Sequence, residues 1–375
     1  MKYSTHILII FLFLFSISGA AEGICQNVNS EITHVISVLH PGISAKDPVE
    51  CNLIESKSPY ASSSHFYMDV ESVVCGSKEC KIVTVRIHWN ELGAYSKIEL
   101  RNGADLEKNE GKPFSKTDYE KLESILKDKD SPLQTYYKYE LVNNSHANAL
   151  DAFSGATVEI DKTAIVEGAV WTCYTLWYWA NGETVTEIRE ITAQKYSDEK
   201  LIALLKGSNS AYKKFAMEQL ILRGNYSGEA QIAVLNASFE SQLLGKKSIE
   251  YFEKSTSGVY YSSFEKMYLK GNLELRRALL NSMISTRLSV VKGVYEKVSE
   301  KNILSDSYQE IDLFFTLLDA KNYVSEIIIQ NSLTLLTHEN FIIARRAYWY
   351  LKKQDVTENQ LHQISKFKNE NSYRL

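Results

Sequence analysis

The stretch His65–Val74 reads HFYMDVESVV, and after a short turn the stretch Lys81–Trp89 reads KIVTVRIHW. Apolar and polar residues alternate in both stretches, as they do in a β-strand that buries one of its faces. The predicted buried faces consist of Phe66, Met68 and Val70 in the first strand, and of Val83, Val85, Ile87 and Trp89 in the second. Because only a short turn separates the strands, they predict an antiparallel hairpin.

Further elements extend this hairpin toward an α+β region that ends near residue 141. Residues 94–100 predict a third strand, followed by an Asn102-Gly103 turn. A helix is predicted to start at Ser115, because Asp118 stands three residues later in the arrangement of a capping box. The N-terminal region, residues 26–141, is therefore predicted to be α+β.

Two cysteines, Cys75 and Cys80, bound the turn of the hairpin. In an oxidising compartment they are expected to form a disulfide across it. A zinc site would need two further ligands, and a catalytic dithiol would favour the C-x-x-C spacing. Cys25 and Cys51 leave a second bridge open, whereas Cys173 lies in an apolar helical stretch and is expected to be a buried free thiol.

The N-terminus has the pattern of a secretory signal over residues 1–20. Lys2 precedes the apolar run 7–17, and the small residues 18–20 offer a cleavage site. The alternative is an uncleaved anchor, although the run is short for a membrane span. We therefore expect an exported protein, periplasmic or on the cell surface, without a transmembrane segment after cleavage.

Charge and motif content exclude several classes of function. The net charge is −4 with both signs interspersed, which predicts no nucleic-acid partner. His65, Asp69 and His88 are candidate metal ligands by residue type, but residues 65 and 69 of one strand are expected to lie about 13 Å apart, so no metal site is predicted. The chain carries no familiar hydrolase or nucleotide-binding motif, and no catalytic residues are predicted.

A seven-residue run, DAFSGAT at residues 151–157, combines an acid, small residues and a terminal hydroxyl. Gly155 can adopt positive φ and, with Ala156, allows the backbone to approach a bulky group. Successive N–H groups in such a turn can bind an anion, and Thr157 supplies an oxygen that can be esterified. The simpler alternative is an ordinary turn before a buried helix.

This run resembles the flavinylation motif D-x-x-(S/T)-G-A-(T/S) of FMN-binding domains. The stretches 66–75 and 168–177 are similar to exported members of the same group, so the resemblance covers roughly residues 60–195. It implies that Thr157 carries FMN through a phosphoester bond, that a separate flavin transferase attaches it, and that the remaining motif residues form the recognised turn: Asp151, Ser154, Gly155 and Ala156. Residues 158–160, Val-Glu-Ile, depart from the hydroxyl-rich continuation of the electron-transport subunits.

The rest of the predicted FMN-binding-like domain, residues 142–195, consists of a helix and a strand. Asp161 is the predicted N-cap of a largely buried helix that ends at Asn181-Gly182, and residues 184–192 are predicted to form a strand. Trp171, Tyr174 and Tyr178 share one stripe of the helix. They either stack on a flavin ring or pack in the core.

Residues 197–375 predict an all-α, HEAT-like solenoid of about three helical pairs. Amphipathic helices are predicted at 273–287, 311–318 and 341–352. The run 220–226 resembles 267–273 at a spacing of 47, near the upper limit for HEAT repeats. A non-repetitive bundle is the alternative. Arg345-Arg346 is interpreted either as a partner patch or as the solvated basic face of a helix.

Taken together, the patterns predict an exported flavoprotein with covalent FMN that acts in electron transfer, and a redox carrier rather than a catalyst. Its expected partners are the flavin transferase and a redox or envelope protein of unknown identity. Two alternatives remain. The chain is either a non-redox scaffold that uses its helical repeats, or a thiol–disulfide protein that uses Cys75 and Cys80.

Overall fold

The computed structural model describes residues 30–57, 63–73, 81–101, 103–137, 140–141, 161–291 and 293–375. The chain forms two compact units, an N-terminal unit that ends at Thr186 and a C-terminal unit that begins at Glu187. The first holds an antiparallel sheet and the second is helical. This confirms an α+β region followed by an all-α region.

The sheet of the N-terminal unit has the order β1-β2-β3-β4-β5, with every neighbouring pair antiparallel. Its strands are β1 (Ser30–His40), β2 (Ser44–Lys57), β3 (His65–Glu71), β4 (Thr84–Asn90) and β5 (Tyr95–Leu100). The predicted hairpin is confirmed as β3 and β4, with Phe66 opposite Trp89, and the predicted third strand is β5. The strands β1 and β2 were not predicted. A short two-stranded ribbon, β6 (Glu107–Lys108) and β7 (Lys112–Pro113), follows.

Two helices cover the apolar face of the sheet. Helix α1 (Lys116–Lys127) contacts β5, and helix α2 (Val170–Asn181) contacts α1 and β4. The predicted capping box is confirmed, because the Ser115 side chain accepts from the Asp118 N–H while the Asp118 carboxylate accepts from the Ser115 N–H. The indole Nε1 of Trp89 donates to the backbone oxygen of Ala180 at 2.8 Å, which joins α2 to β4.

Two predictions for residues 161–195 are wrong. Helix α2 begins at Val170, not after Asp161, whose carboxylate instead accepts from Thr163 in a tight turn. The predicted strand 184–192 is part of helix α3 (Glu183–Lys195). Thr184, Ile188 and Thr192 are buried at four-residue steps. The helical spacing of the buried side chains therefore prevails over the β propensity of threonine and isoleucine.

In the C-terminal unit, short helices are stacked in two layers. Their bounds are α4 (Asp198–Leu205), α5 (Ser210–Arg223), α6 (Gly228–Ala237), α7 (Gln242–Glu253), α8 (Ser257–Lys270), α9 (Leu273–Ser285), α10 (Val294–Asn302), α11 (Tyr308–Lys321), α12 (Glu326–Thr334), α13 (Phe341–Leu351) and α14 (Glu358–Glu370). The odd-numbered helices from α5 to α13 contact one another in order, and so do the even-numbered helices from α4 to α14. This two-layered packing order is that of a helical repeat array.

The structural repeat is shorter than the sequence echo suggested. Helices α5, α7, α9, α11 and α13 begin at residues 210, 242, 273, 308 and 341, so successive starts lie 32, 31, 35 and 33 residues apart. The echo of 47 residues joins α5 to α8, which belong to different layers, so it is not the repeat. The observed spacing also lies below the roughly 40–47 residues of HEAT and armadillo repeats.

A pair of adjacent basic residues recurs in four of the five helices of the odd-numbered layer, and the sequence analysis did not recognise it as a repeat. The pairs are Lys213-Lys214 in α5, Lys246-Lys247 in α7, Arg276-Arg277 in α9 and Arg345-Arg346 in α13. Helix α11 carries acids instead. Its Glu310 accepts from Arg276 at 2.6 Å, and its Asp312 accepts from Arg346 at 2.5 Å. Arg346 is therefore buried and paired, and the solvated basic face expected for it is wrong.

Candidate functional site

The predicted flavin-bearing residues Asp151, Ser154, Gly155, Ala156 and Thr157 lie in the segment 142–160, outside the residues that the structure describes. The predicted disulfide partners Cys75 and Cys80 lie in the segment 74–80, and the predicted signal lies in 1–29; these are also outside the described residues. The candidate site is therefore built from the described residues that flank the motif.

The chain that follows the motif is attached to the N-terminal unit at several points. The N–H of Asp161 donates to the hydroxyl of Tyr136 at 3.1 Å. The Nζ of Lys121, on α1, donates to the backbone oxygen of Lys162 at 2.8 Å. Farther along, Gly168 has φ of +76° and its oxygen accepts from the N–H of Asn109 at 2.8 Å. The start of this segment is thus held against α1 and against the residues just before the motif segment.

The turn at Asp161 is also stabilised from within. Its carboxylate accepts from the hydroxyl of Thr163 at 2.7 Å and from the Thr163 N–H at 2.8 Å. These hydrogen bonds, that of the side chain above all, hold the pKa of Asp161 below its ordinary value. Asp161 is therefore ionised at neutral pH, and it accepts hydrogen bonds in this turn rather than acting as a proton donor.

Chain connectivity limits how far Thr157 can lie from this anchored point. Four residue steps separate Thr157 from Asp161, and a fully extended chain advances at most about 3.6 Å per residue, so their Cα atoms lie within about 14 Å of each other.

The aromatic side chains of α2 divide into core and surface residues. Tyr174 is fully buried, and its hydroxyl donates to the backbone oxygen of Tyr136 at 3.3 Å. Trp177 is buried too, and its Nε1 donates to the backbone oxygen of Asp128 at 2.8 Å. Both rings are core residues, so the packing alternative is confirmed for Tyr174. Trp171 and Tyr178 are half-buried.

His40 packs against the aromatic side chains of α2 near the end of that helix; Trp171, Tyr174, Trp177, Tyr178 and Trp179 are called the aromatic row below. The ring of His40, at the end of β1, lies 4.4 Å from the ring of Trp179 and 5.9 Å from that of Tyr178, measured between centroids. Its Nε2 lies 3.0 Å from the backbone oxygen of Thr175. The Tyr178 hydroxyl donates to the backbone oxygen of Gln134 at 3.2 Å. The aromatic row thus contacts the sheet through His40, and Tyr174 and Tyr178 connect it to residues 134–136.

Cys173 is the buried free thiol that the sequence predicts. Its Sγ accepts from the N–H of Val166 at 3.2 Å, and burial raises its pKa to about 12. A thiol with this pKa stays protonated at neutral pH and is a poor nucleophile. Cys51 is a half-buried free thiol on β2, and burial raises its pKa as well. Cys25, with which Cys51 was left open to form a second bridge, lies outside the described residues.

Asp69 and His88, two of the three candidate metal ligands in the sequence, have other partners. The carboxylate of Asp69 accepts from the Nε and Nη2 of Arg86 at 2.7 and 2.8 Å. His88 lies 3.3 Å from a carboxylate oxygen of Glu99, and burial lowers its pKa. Within the described ranges, no group of three or more potential ligands is arranged to hold a metal ion.

Sequence reasoning missed a buried polar cluster at the edge of the core. The hydroxyl of Ser64 donates to the carboxylate of Glu55 at 2.6 Å, and its N–H donates to that of Glu91 at 3.2 Å. The Nε2 of His34 lies 2.9 Å from the second oxygen of Glu55. Both glutamates are buried, and no sequence motif marks either of them.

Comparison of the chain with protein-family models, with curated proteins and with solved structures finds no match. Nowhere in the described ranges does a helix combine the length and the hydropathy that a membrane crossing requires.

Proposed function

We propose that this protein is an exported electron carrier that holds FMN on Thr157 through a phosphoester bond. The observation that carries the proposal is the complete seven-residue motif at residues 151–157, which resembles the flavinylation motif in every position. Its surroundings support the proposal, because Thr157 lies within about 14 Å of an anchored turn beside a row of aromatic side chains.

The described side chains around Asp161 suit a bound flavin. Tyr136, whose hydroxyl accepts from the Asp161 N–H, is a half-buried aromatic residue, and a flat aromatic side chain packs well against a flat conjugated ring. In the attachment, the Thr157 oxygen would form a bond to the FMN phosphorus of FAD, the phosphoanhydride bond would break, and AMP would leave. The flavin supplies one- and two-electron chemistry, while the protein supplies attachment and orientation.

A covalent bond is useful outside the cytoplasm, where a dissociated cofactor is lost. The proposal therefore includes export through the segment 1–20, attachment by a separate flavin transferase and an electron-transfer partner. It describes a carrier rather than an enzyme. Among the described residues near the site, Cys173 is protonated, Asp161 accepts hydrogen bonds and the tyrosines of α2 are raised in pKa by burial, so they remain neutral.

Intact mass spectrometry of protein purified from its native host tests the proposal. We expect an increment of about 438 Da, the mass of FMN less water, that survives acid precipitation because it is covalent. Peptide mapping should place it on residues 151–157. A colourless protein of unmodified mass, made in cells that contain an active flavin transferase, contradicts the proposal.

The helical array favours a second function, that of an envelope scaffold without redox chemistry. The C-terminal unit makes up half of the chain and presents exposed apolar side chains, among them Leu222 at 77% and Leu304 at 75% exposure. Helical arrays commonly bind partners along an extended surface. The two functions are compatible if the array docks the partner and the N-terminal unit carries the flavin. The mass measurement separates a scaffold alone from this combination.

A truncated protein that ends at Ser197 tests this division of labour. We expect it to retain covalent flavin, because the motif, α2 and α3 all precede that point. It should lose whatever co-purifies with the full-length protein, since helices α4 to α14 are removed. Mass spectrometry and affinity purification measure the two properties. If the truncated protein is soluble and folded by circular dichroism but receives no flavin, residues beyond 197 belong to the cofactor site and the division is wrong.

A further inference from the structure

We propose that the outer edge of β1 pairs with the same edge of a second copy of this chain, so that two five-stranded sheets join into one. The pairing is antiparallel, is centred on His34 and uses residues 31–37 of each copy. It is independent of the proposed function, because all of these residues belong to the described part of the N-terminal unit.

Hydrogen bonds inside the sheet show which backbone groups of β1 point outward. In an antiparallel pair, directly opposed residues alternate between those that exchange two hydrogen bonds and those that exchange none. The N–H of Ser72 donates to the oxygen of Val83 at 2.8 Å, which fixes this alternation between β3 and β4. Carried through the register of the sheet to β1, it directs four N–H groups away from β2, those of residues 31, 33, 35 and 37.

The two edges of the sheet differ in how their outward groups are bonded. On β5 the N–H of Ile98 donates to the carboxylate of Glu123 on α1 at 3.3 Å, so a helix protects that edge. On β1 the N–H of Leu39 donates to Glu183 at 2.6 Å. The outward backbone groups of residues 31–37 have no such partner within the described part of the chain. This stretch of β1 is therefore an open edge.

The open edge lacks the features that usually keep edge strands from pairing. Natural edges are protected by lysine, by proline or by short length. Residues 31–37 read EITHVIS, without lysine, arginine or proline, and β1 is 11 residues long. Ile32 and Val35 are 50% and 64% exposed on the two faces of the strand. Such an edge favours the addition of another strand.

One register of self-pairing uses all of the outward groups. When His34 lies opposite His34 of the second copy, Glu31 lies opposite Ser37 and Thr33 lies opposite Val35. The residues of the last two pairs point their N–H groups outward, so each pair exchanges two hydrogen bonds. Every outward N–H group at 31–37 of both copies then has an acceptor.

Other registers leave donors without acceptors. A shift by one residue sets outward groups opposite inward ones and moves the side chains to the wrong face. A shift that sets Glu31 opposite Leu39 meets an N–H group that is already bonded, beyond the point where the regular pairing of β1 ends. The opposite shift sets Ser37 opposite residue 29, outside the described strand.

The side chains suit the register centred on His34. Glu31 is the only aspartate, glutamate, lysine or arginine in residues 31–37, and it faces Ser37, so the two glutamates lie at opposite ends of the ladder. Like charges directly opposite each other destabilise a strand pair, and this register has none. On the core side Ile32 lies opposite Ile36 of the second copy, so part of its exposed surface leaves water.

Concentration series of the full-length protein test the proposal. A stable interface usually involves about 20–30 residues on each side, so a single ladder should give a weak dimer that dissociates in the micromolar range. Sedimentation velocity up to about 0.2 mM protein should show a monomer–dimer equilibrium. Hydrogen exchange of the peptide that covers residues 31–37 should slow as the concentration rises, because pairing protects the outward N–H groups.

Val35→Pro should raise the dissociation constant of the dimer about ten-fold or more. Proline removes the outward N–H group and its ring obstructs an incoming strand, whereas the hydrogen bonds to β2 come from the neighbouring residues and remain. Val35→Thr is the matched control, since it keeps the N–H group and the β-branched shape. It should leave the dissociation constant unchanged, and circular dichroism checks that both variants are folded.

A charge pair tests the register itself. Thr33 and Val35 are exposed, so their substitution leaves the monomer folded even if Val35→Pro does not fold. The double variant Thr33→Glu, Val35→Glu sets glutamates opposite each other and should lose the dimer. The double variant Thr33→Glu, Val35→Lys sets opposite charges together and should keep it.

Three results would overturn the inference. The first is a protein that stays monomeric throughout the concentration series. The second is slow exchange of residues 31–37 at every concentration, which would mean that another segment or another molecule covers the edge. The third is a dimer that responds equally to both charge variants, since its interface then lies elsewhere or in another register.

Discussion

Thr157→Ala is expected to remove the covalent flavin completely, so that the intact mass of the variant equals that of the unmodified chain. The reason is chemical, because alanine has no oxygen from which a phosphoester could form. Thr157→Ser keeps a hydroxyl and should retain part of the flavin. Intact mass and the flavin absorbance of acid-precipitated protein measure both effects.

Thr163→Ala is the matched control for this experiment. Thr163 stands six residues after Thr157, and its hydroxyl donates to the carboxylate of Asp161. Its removal costs one exposed hydrogen bond but leaves the motif intact, so full flavin loading is expected. Full loading of Thr157→Ala would show that Thr157 is not the point of attachment.

Glu310→Gln is expected to destabilise the C-terminal unit by about 3–5 kcal/mol, the usual cost of breaking a buried ion pair by removal of one charge. The side chain of Glu310 is fully buried. It accepts four hydrogen bonds, from the Nε of Arg276 at 2.6 Å, the Nη2 of Arg276 at 3.0 Å, the hydroxyl of Tyr268 at 2.6 Å and that of Ser305 at 2.5 Å. A neutral amide cannot balance the charge of the arginine.

Urea denaturation of the full-length protein, followed by circular dichroism of the helices, measures this change. Glu300→Gln, at an exposed position of α10, is the control and should alter stability by less than about 0.5 kcal/mol. If the free energy of unfolding falls by less than about 1 kcal/mol in Glu310→Gln, the hydrogen bonds of Glu310 with Arg276, Tyr268 and Ser305 do not stabilise the array substantially.

The same carboxylate predicts how stability depends on pH. Burial raises the pKa of Glu310, but the hydrogen bonds from Arg276, Ser305 and Tyr268 outweigh it, so the pKa lies below its ordinary value. A depressed pKa stabilises the folded state above the unfolded pKa, and this contribution is lost as the pH falls through the folded pKa. In Glu310→Gln the corresponding part of the acid sensitivity should disappear.

Local patterns of the sequence predicted several elements of the fold. The alternation in β3 and β4 was decisive because every second residue is apolar, and the capping box at Ser115 located the start of α1. The strands β1 and β2 were missed, because each has one largely exposed face and exposed apolar residues, such as Val35 at 64%, blur the alternation. The long-range partners that make these strands stable are not visible in a local pattern.

The site and the array were harder to predict for different reasons. The motif at residues 151–157 is visible as a sequence, but the attachment of Asp161 to Tyr136 joins residues that are 25 positions apart and follows no motif. In the array, the recurring basic pairs mark equivalent helices of the repeat. The more obvious Gly-Asn echo occurs at the ends of α5 and α8, which are not equivalent. Gly224 has φ of +64° there, whereas Gly271 has an extended backbone. The same residues thus serve different turns.

The sequence separation between contacting residues differs in the two units, so we expect them to gain their tertiary contacts in a different order during synthesis. In the C-terminal unit the ion pair between Arg276 and Glu310 joins residues 34 positions apart, as does that between Asp312 and Arg346. Such a unit has a low contact order and can gain structure one repeat at a time.

The N-terminal unit closes far longer loops. The N–H of Leu39 donates to Glu183, 144 residues later, and the ring of His40 meets the backbone of Thr175, 135 residues later. The end of β1 pairs with β2 at once, but it lacks these two long-range partners until Glu183 has been made. The strand that emerges first therefore completes its contacts last, and the proposed motif at residues 151–157 lies in sequence between these distant partners.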